Sequence, residues 1–373
     1  MKDILIVARS GRALATSAYE AGYTVHVLDC FADEDTKSFA KTTHRLQPHA
    51  EGFDKIELMQ QVKKLVSCYP KAVLVVGTGF EKTPELLENL VEIIPVFSND
   101  KKTVHNLKDP VYLYNMLRFA SIKTPEISFE CPINSDGWLL KEIAGTGGGH
   151  VKWLSQINPS SCSGYYQEHI SGSILSAVFL ANCTHAILVG ISEQLQSKQF
   201  SSMPFLLGGV VRQSSDYQQQ RQSIIEIINK ITKQTGLKGL CGIDYIVTNT
   251  GLIFVLEVNP RPPSSFELYE KQSILFDAHL ACFENKKFDF QLEQTNQAKG
   301  YAVYYAKQNI KINSNIAWPS WVKDRPCIGS AIAKKDPVCT VHVKDESIID
   351  VKALLQKRLV DIETIIITEQ DDT

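Results

Sequence analysis

The stretch Gly242-Ile-Asp-Tyr-Ile-Val-Thr-Asn-Thr-Gly-Leu-Ile-Phe-Val-Leu-Glu-Val-Asn-Pro-Arg261 decides how the rest of the chain is read. It predicts a β-hairpin. Ile243, Tyr245, Ile246 and Val247 make one β-rich run, Asn249-Thr-Gly251 the turn, and Leu252 to Val258 the second run. Glu257 and Asn259 stand two apart, so both project from one face of the second strand. A hairpin brings Asp244 of the first strand alongside them. Two carboxylates and an amide oxygen are hard ligands that suit Mg²⁺ on nucleotide phosphates. Arg261 follows as a fixed cation able to stabilise charge on a transferring phosphoryl group. The plainer reading is a hairpin whose acids face water. Apolar neighbours on both sides make that a poor solvated face, and acids held there need a partner.

Working outward, the 373 residues predict two or three domains with ample core. A net charge of −2 gives no electrostatic case for nucleic acid or an anionic membrane surface. The apolar runs are strand-sized, so no transmembrane span is expected. Arg9 and Arg12 interrupt the N-terminal apolar run too early for a signal peptide. There are nine cysteines, an odd number, with no Cys-x-x-Cys pair. Reduced thiols in a cytoplasm are therefore expected, and Cys241, next to the hairpin, reads as a small buried hydrophobe.

Upstream, residues 4–8, 23–29 and 72–76 read as strands, with helical stretches at 12–21 and 58–67. That β-α-β rhythm predicts an open, mostly parallel sheet. The helix after the first strand begins near Ser10-Gly11-Arg12 and offers N–H groups to an anion, with Arg12 as a substrate contact. The full dinucleotide fingerprint Gly-x-Gly-x-x-Gly is missing, so NAD is not expected. Gly77-Thr-Gly79-Phe-Glu81 follows a buried strand at its carboxyl end, where open α/β sheets hold ligands. Gly79 and Glu81 are either substrate contacts or part of a plain strand-to-helix turn.

Trp138 to Lys141 reads as a short strand, followed by a loop holding Gly145, Gly147, Gly148, Gly149 and His150. Four glycines in five positions carry a large backbone-entropy cost, which implies a purpose. Such backbone approaches phosphates closely, and Lys141 adds a point charge. His150 is either a phosphate contact or a solvent-facing loop residue. Arg212 ends a later strand, as either a ligand for a carboxylate or acyl phosphate or a surface arginine. A long amphipathic helix is expected over 217–236, with Ile224, Ile227, Ile228 and Ile231 on one stripe. A helix is also expected from about Phe266, and a closing one over 348–359.

Taken in order, these motifs resemble the ATP-grasp ligases, in the branch of carboligases related to biotin carboxylase. The finer likeness lies in "ARSGRALA", "GTGFE", "LKDP", "YYQEHISG" and "LEVNPRPPSSFELYE". It covers nearly the whole chain. The resemblance implies a multidomain α/β and α+β chain. Residues 1–97 would be a Rossmann-like pre-ATP-grasp domain, 98–294 the ATP-grasp domain with two subdomains, and 295–373 a small β-rich module. It implies ATP with Mg²⁺ (or Mn²⁺) on Asp244, Glu257 and Asn259. Lys108, in a Lys-Asp-Pro leading a helix, would reach the phosphates, with Lys101 or Lys102 as fallback. Gln167, Glu168, His169 and Ile170 would be the hinge that reads adenine. Where the family places a ribose-binding acid this chain has Ser173 and Ile174, which leaves Glu193 to consider.

The implied reaction activates a carboxylate as an acyl phosphate for attack by an amine, with Arg261 and Arg212 as the catalytic cations. No side-chain nucleophile is needed. The implied partners are a small-molecule carboxylate and amine, with a possible homodimer. The branch is associated with one-carbon cofactor biosynthesis. The alternatives are a bicarbonate-using carboxylase, whose biotin carrier would be external because no Ala-Met-Lys-Met motif is present, and a non-catalytic nucleotide-binding scaffold.

Overall fold

A computed structural model of the chain describes residues 2–49, 52–157, 164–212, 218–271, 273–284, 286 and 297–371. The N-terminal part is an open parallel sheet of five strands: β1 (Asp3–Ala8), β2 (Thr24–Asp29), β3 (Thr42–Arg45), β4 (Val73–Val76) and β5 (Val96–Phe97), in the order β3-β2-β1-β4-β5. The apolar runs of β1 and β4 are buried on both faces, as parallel strands covered by helices must be. Helix Arg12–Glu20 packs on one face and Lys55–Cys68 on the other.

A small four-stranded antiparallel sheet follows. Its strands are β6 (Ile127–Ser128), β7 (Trp138–Lys141), β8 (Lys152–Trp153) and β9 (Tyr165–Glu168), in the order β8-β7-β9-β6. The glycine loop is the β7–β8 connection. The largest sheet has eight strands: β10 (Ser173–Asn182), β11 (Ala186–Gln196), β12 (Leu207–Arg212), β13 (Lys238–Val247), β14 (Ile253–Asn259), β15 (Ala298–Tyr305), β16 (Val322–Lys323) and β17 (Pro337–Asp345). Their order is β14-β13-β10-β11-β12-β15-β17-β16. The amphipathic helix runs Gln218–Thr235, and its Ile224, Ile228 and Ile231 are fully buried against this sheet.

Of the C-terminal strands only Ile310–Lys311 and Ala331–Ile332 pair apart, as a two-stranded sheet; the others join the large sheet. β15 pairs with β12, so the segment expected as an appended module extends the large sheet. Its closing helix is twice the expected length, Ile348–Asp371. After the hairpin comes a 3₁₀ turn, Ser264–Leu268, and the α-helix begins only at Ile274. Pro262 and Pro263 stiffen that exit. No helix among the described residues is long and apolar enough to cross a membrane. The eight described cysteines are all free thiols; Cys162 lies outside the described residues.

Candidate active site

The expected hairpin is β13–β14, and its register sets Asp244 directly opposite Glu257 and Gly242 opposite Asn259. Ile243, Tyr245, Val255 and Val258 turn to the opposite face, where they are fully buried in the core. The three oxygen-bearing side chains are thereby fixed on the other face. Asn99 ties the base of this hairpin to the N-terminal part. Its amide donates to Lys238 O (3.0 Å) and Pro260 O (2.9 Å), and its Oδ1 accepts from Lys238 N (2.9 Å).

The next residue, Asp100, caps helix Lys101–Lys108 by accepting from Thr103 N at 2.7 Å. Asp109 then caps helix Pro110–Phe119 by accepting from Val111 N and Tyr112 N. Lys108 therefore ends one helix rather than leading the next. Its ammonium donates to Glu257 Oε1 and, at 2.8 Å, to Asn259 Oδ1. Lys101 is spent instead on Glu88, at the surface.

These groups face a cavity of about 610 Å³. Lys141, Gly145, Gly147, Gly148, Asp244, Glu257, Asn259 and Arg261 all line it, as do Gln167, Glu168, His169 and Ile170. The glycine loop lies closed over it. Leu207 N donates to Gly147 O at 3.0 Å, and a Cβ on Gly148 (φ +75°) would sit 2.0 Å from Phe205 O. Gly149 packs on Met203 and Leu206 and is not part of the wall. His150 tucks beneath Gly145, where burial and Lys141 lower its pKa, so the ring is neutral. Lys141 Nζ donates to the buried Gln167 Oε1 at 3.1 Å. Trp153, His169 and Phe205 form an aromatic group in the wall, with Trp153 centred 4.6 Å from His169 and 5.3 Å from Phe205.

Burial works to raise the Glu257 pKa, but Lys108, Lys141 and Arg261 outweigh it and hold the carboxyl below its usual range. Burial and the neighbouring Glu257 push Asp244 up to about 6. Ser176, which faces Asp244 across β10–β13, donates to its Oδ1 at 2.8 Å, and Gln194 Nε2 does the same at 2.8 Å. Sequence reasoning missed both. Their only signal is strand register, which a single sequence does not print. Among the described residues there is no group of three or more His, Cys, Asp or Glu side chains arranged to hold a metal. A hard cation here would rely on two carboxylates and one amide oxygen, a donor set that suits Mg²⁺. A cation there would also relieve the repulsion that now raises Asp244.

Arg261 is anchored from the N-terminal part. Its Nε donates to Glu81 Oε1 at 2.9 Å, while Glu81 Oε2 accepts from Gly79 N at 2.7 Å. Glu81 thus sits behind Arg261. It also borders, with Gly79, a second cavity of about 160 Å³ across the glycine loop.

Two residues expected at the site lie elsewhere. Arg12 is 4% exposed and absent from both cavity walls. Its guanidinium donates Nη2 to Glu267 (2.9 Å) and Nε to Asp324 (2.9 Å), so its donors are occupied and it is no substrate contact. Arg212 donates Nε to Leu268 O (3.0 Å) and lies over the Tyr269 ring at 5.0 Å, outside the cavity wall that Leu207 and Val210 of the same strand reach. It therefore does not stand with Arg261. Glu193, weighed as a ribose acid, pairs with Lys352 (2.7 Å), and its neighbour Gln194 lines the cavity in its place.

Comparison with known proteins agrees with this geometry. Residues 107–265 match the family model described as ATP-grasp domain. An uncharacterized protein of Methanocaldococcus jannaschii is 23% identical over 91% of this chain and 88% of its own. Among solved structures, the L-amino acid ligase from Bacillus licheniformis superposes with a TM-score of 0.70 at 15% identity, covering 97% of each chain. The biotin carboxylase from Campylobacter jejuni gives 0.71 at 13%, over 94% of this chain and 89% of that one. The N5-carboxyaminoimidazole synthetase from Staphylococcus aureus, complexed with ADP, gives 0.67 at 16%, over 96% and 97%. Residues 107–265 are therefore an ATP-grasp domain, and the chain as a whole shares the fold of these three solved enzymes.

Proposed function

We propose that the protein is an ATP- and Mg²⁺-dependent ligase that activates a carboxylate as an acyl phosphate and joins it to an amine. One observation carries this reading. Lys108, Lys141, Asp244, Glu257, Asn259 and Arg261 converge on a single cavity beneath a closed glycine loop, where Lys108 donates to Glu257 and Asn259. Each group has a task there. Lys108 and Lys141 supply positive charge for phosphates, and Gly145, Gly147 and Gly148 of the loop line the same space. Gln167 to Ile170 and the mutually tilted rings of Trp153, His169 and Phe205 offer an aromatic wall with polar edges, which suits a purine. Asp244, Glu257 and Asn259 would hold Mg²⁺ or Mn²⁺, which when bound neutralises charge on the transferring phosphoryl group.

In the first step a substrate carboxylate oxygen bonds to the terminal phosphorus of ATP and ADP leaves. In the second an amine bonds to the acyl carbon, phosphate leaves and a proton is lost from nitrogen. Arg261 is placed to stabilise charge in both, and one such contact lowers a barrier by roughly 3–4 kcal/mol. The closed loop keeps water from the acyl phosphate. We further propose an amino acid as one substrate, in assembly of a methanofuran- or tetrahydromethanopterin-type cofactor. A second reading, bicarbonate as the carboxylate, draws on the biotin carboxylase fold, which superposes as well as the ligase does.

The test is ADP release from MgATP across pairs of carboxylates and amines, with bicarbonate as a separate arm. Release that needs both partners of a pair supports the ligase. Release with bicarbonate alone supports the second reading. ATP binding with no release in any arm overturns both.

A further inference from the structure

The second cavity carries a charge that no described residue pairs with. Arg9, directly after β1, lines it together with Gly52, Thr78, Gly79, Glu81 and Lys82. The other ionised groups in its wall are matched. Lys82 pairs with Glu142 (2.9 Å) and Glu81 with Arg261 (2.9 Å). Asp29, at the end of the neighbouring β2, turns its carboxylate to Gly11 N (2.9 Å) and Ala32 N (2.7 Å). The Arg9 guanidinium has no hydrogen-bond or ion-pair partner among the described residues, and its side chain is exposed to the cavity mouth. Arg45 adds a second positive charge on the same sheet edge. Its Nε donates to Cys30 O (3.1 Å), and Cys30 N donates to Arg9 O (3.1 Å). The cavity shares Glu142, Ala144, Gly145, Thr146 and His150 with the larger one, so the two meet along the glycine loop.

From this we infer that the protein acts on an acidic substrate, one carrying a second oxyanion away from the reacting group, and that Arg9 binds that oxyanion. The inference rests on the ligase reading and names the class of its substrate. A guanidinium without an internal partner, at the carboxyl edge of an open α/β sheet, is a ready site for a planar carboxylate or a phosphate. A substrate seated there has its acidic end on Arg9 and its reacting end toward the loop and Arg261. Neutral molecules of the same shape leave Arg9 unmatched and bind more weakly.

The test is calorimetric titration of the full chain, with and without a non-hydrolysable ATP analogue and Mg²⁺. The probes are matched pairs: L-glutamate against L-glutamine, L-aspartate against L-asparagine, and O-phospho-L-serine against L-serine. At least one acidic member should bind 10-fold or more tighter than its neutral partner. Arg9→Gln should erase that preference, Arg9→Lys should restore part of it, and the affinity for the ATP analogue should stay within twofold. The arm that responds separates a carboxylate from a phosphate. Equal binding of acidic and neutral partners, no binding by any acidic probe, or no effect of Arg9→Gln overturns the inference. Those outcomes with nucleotide-dependent ADP release intact leave the ligase reading standing. Loss of nucleotide binding by the native chain breaks the ligase reading instead.

Discussion

Two arginines, Arg12 buried and Arg261 partly buried, each face carboxylates brought from distant parts of the chain, yet they do different things. Arg12 is saturated. Glu267 and Asp324 take its donors on both edges, and Thr340 adds a hydroxyl to Asp324. Arg12 lines neither of the two cavities. Burial tends to lower the pKa of Arg12, but the two carboxylates overcome it and hold the guanidinium charged. This cluster fastens the N-terminal helix, the loop after the hairpin and the C-terminal strands to one another. Arg261 has one carboxylate partner, Glu81, with longer bonds to Asn259 Oδ1 (3.3 Å) and Pro262 O (3.4 Å), and it borders a space where Lys141, Asp244, Glu257 and Asn259 also end. Charge matched inside the fold builds structure, and charge left pointing at a void waits for a ligand.

Substitutions at the two centres should therefore fail in different ways. Glu257→Ala should lower ADP release by about 10³-fold. Its melting temperature should stay near that of the native chain. Retained activity would show the hairpin acids to be structural, like Glu267. Arg12→Met leaves Glu267 and Asp324 with only Lys323, 3.8 Å from Glu267, and should cost about 3–5 kcal/mol of stability in urea unfolding. The affinity for an ATP analogue should be unchanged.

Acid should loosen the saturated centre too. Burial depresses both His342, which faces Glu267, and His279, under β13, to about 4 from an ordinary 6.5. The unfolded chain takes up these protons at the higher pH and the folded chain only at the lower one. Their contribution is full above pH 6.5, shrinks as pH falls, and is gone below about 4. Each is worth about 3 kcal/mol at 1.36 kcal/mol per unit. Urea midpoints between these limits check it, and a flat profile would contradict it. The smallest effect belongs to Glu81→Gln, which keeps the shape behind Arg261 but removes its charge. We expect kcat to fall about 10-fold with ATP affinity within twofold, the pattern of a group that positions rather than binds.

Much of this was legible in the chain. The β-branched runs around Asn249-Thr-Gly251 and the two-residue period give the hairpin and the shared face of Glu257 and Asn259. Asp100 as a helix cap and Asp109-Pro110 as the next helix start are local signals too. What escaped depends on pairings across long stretches of sequence. The partners of Arg12 lie 255 and 312 residues away, and nothing near Arg12 announces them. An arginine after a β-strand looks the same whether it is saturated, as Arg12 is, or open, as Arg9 is. Ser176 and Gln194 reach Asp244 only through the register of long strands. That β15 would extend the large sheet is likewise a property of edges, which single-strand patterns do not encode.

The most direct test of the account is a crystal structure with a non-hydrolysable ATP analogue and Mg²⁺. The account predicts metal density contacting Asp244, Glu257 and Asn259, the triphosphate between that hairpin and Gly145 to Gly148, and Lys108 and Lys141 turned onto phosphate oxygens. Nucleotide bound outside this cavity, or density with these three side chains pointing away from any metal, would contradict it.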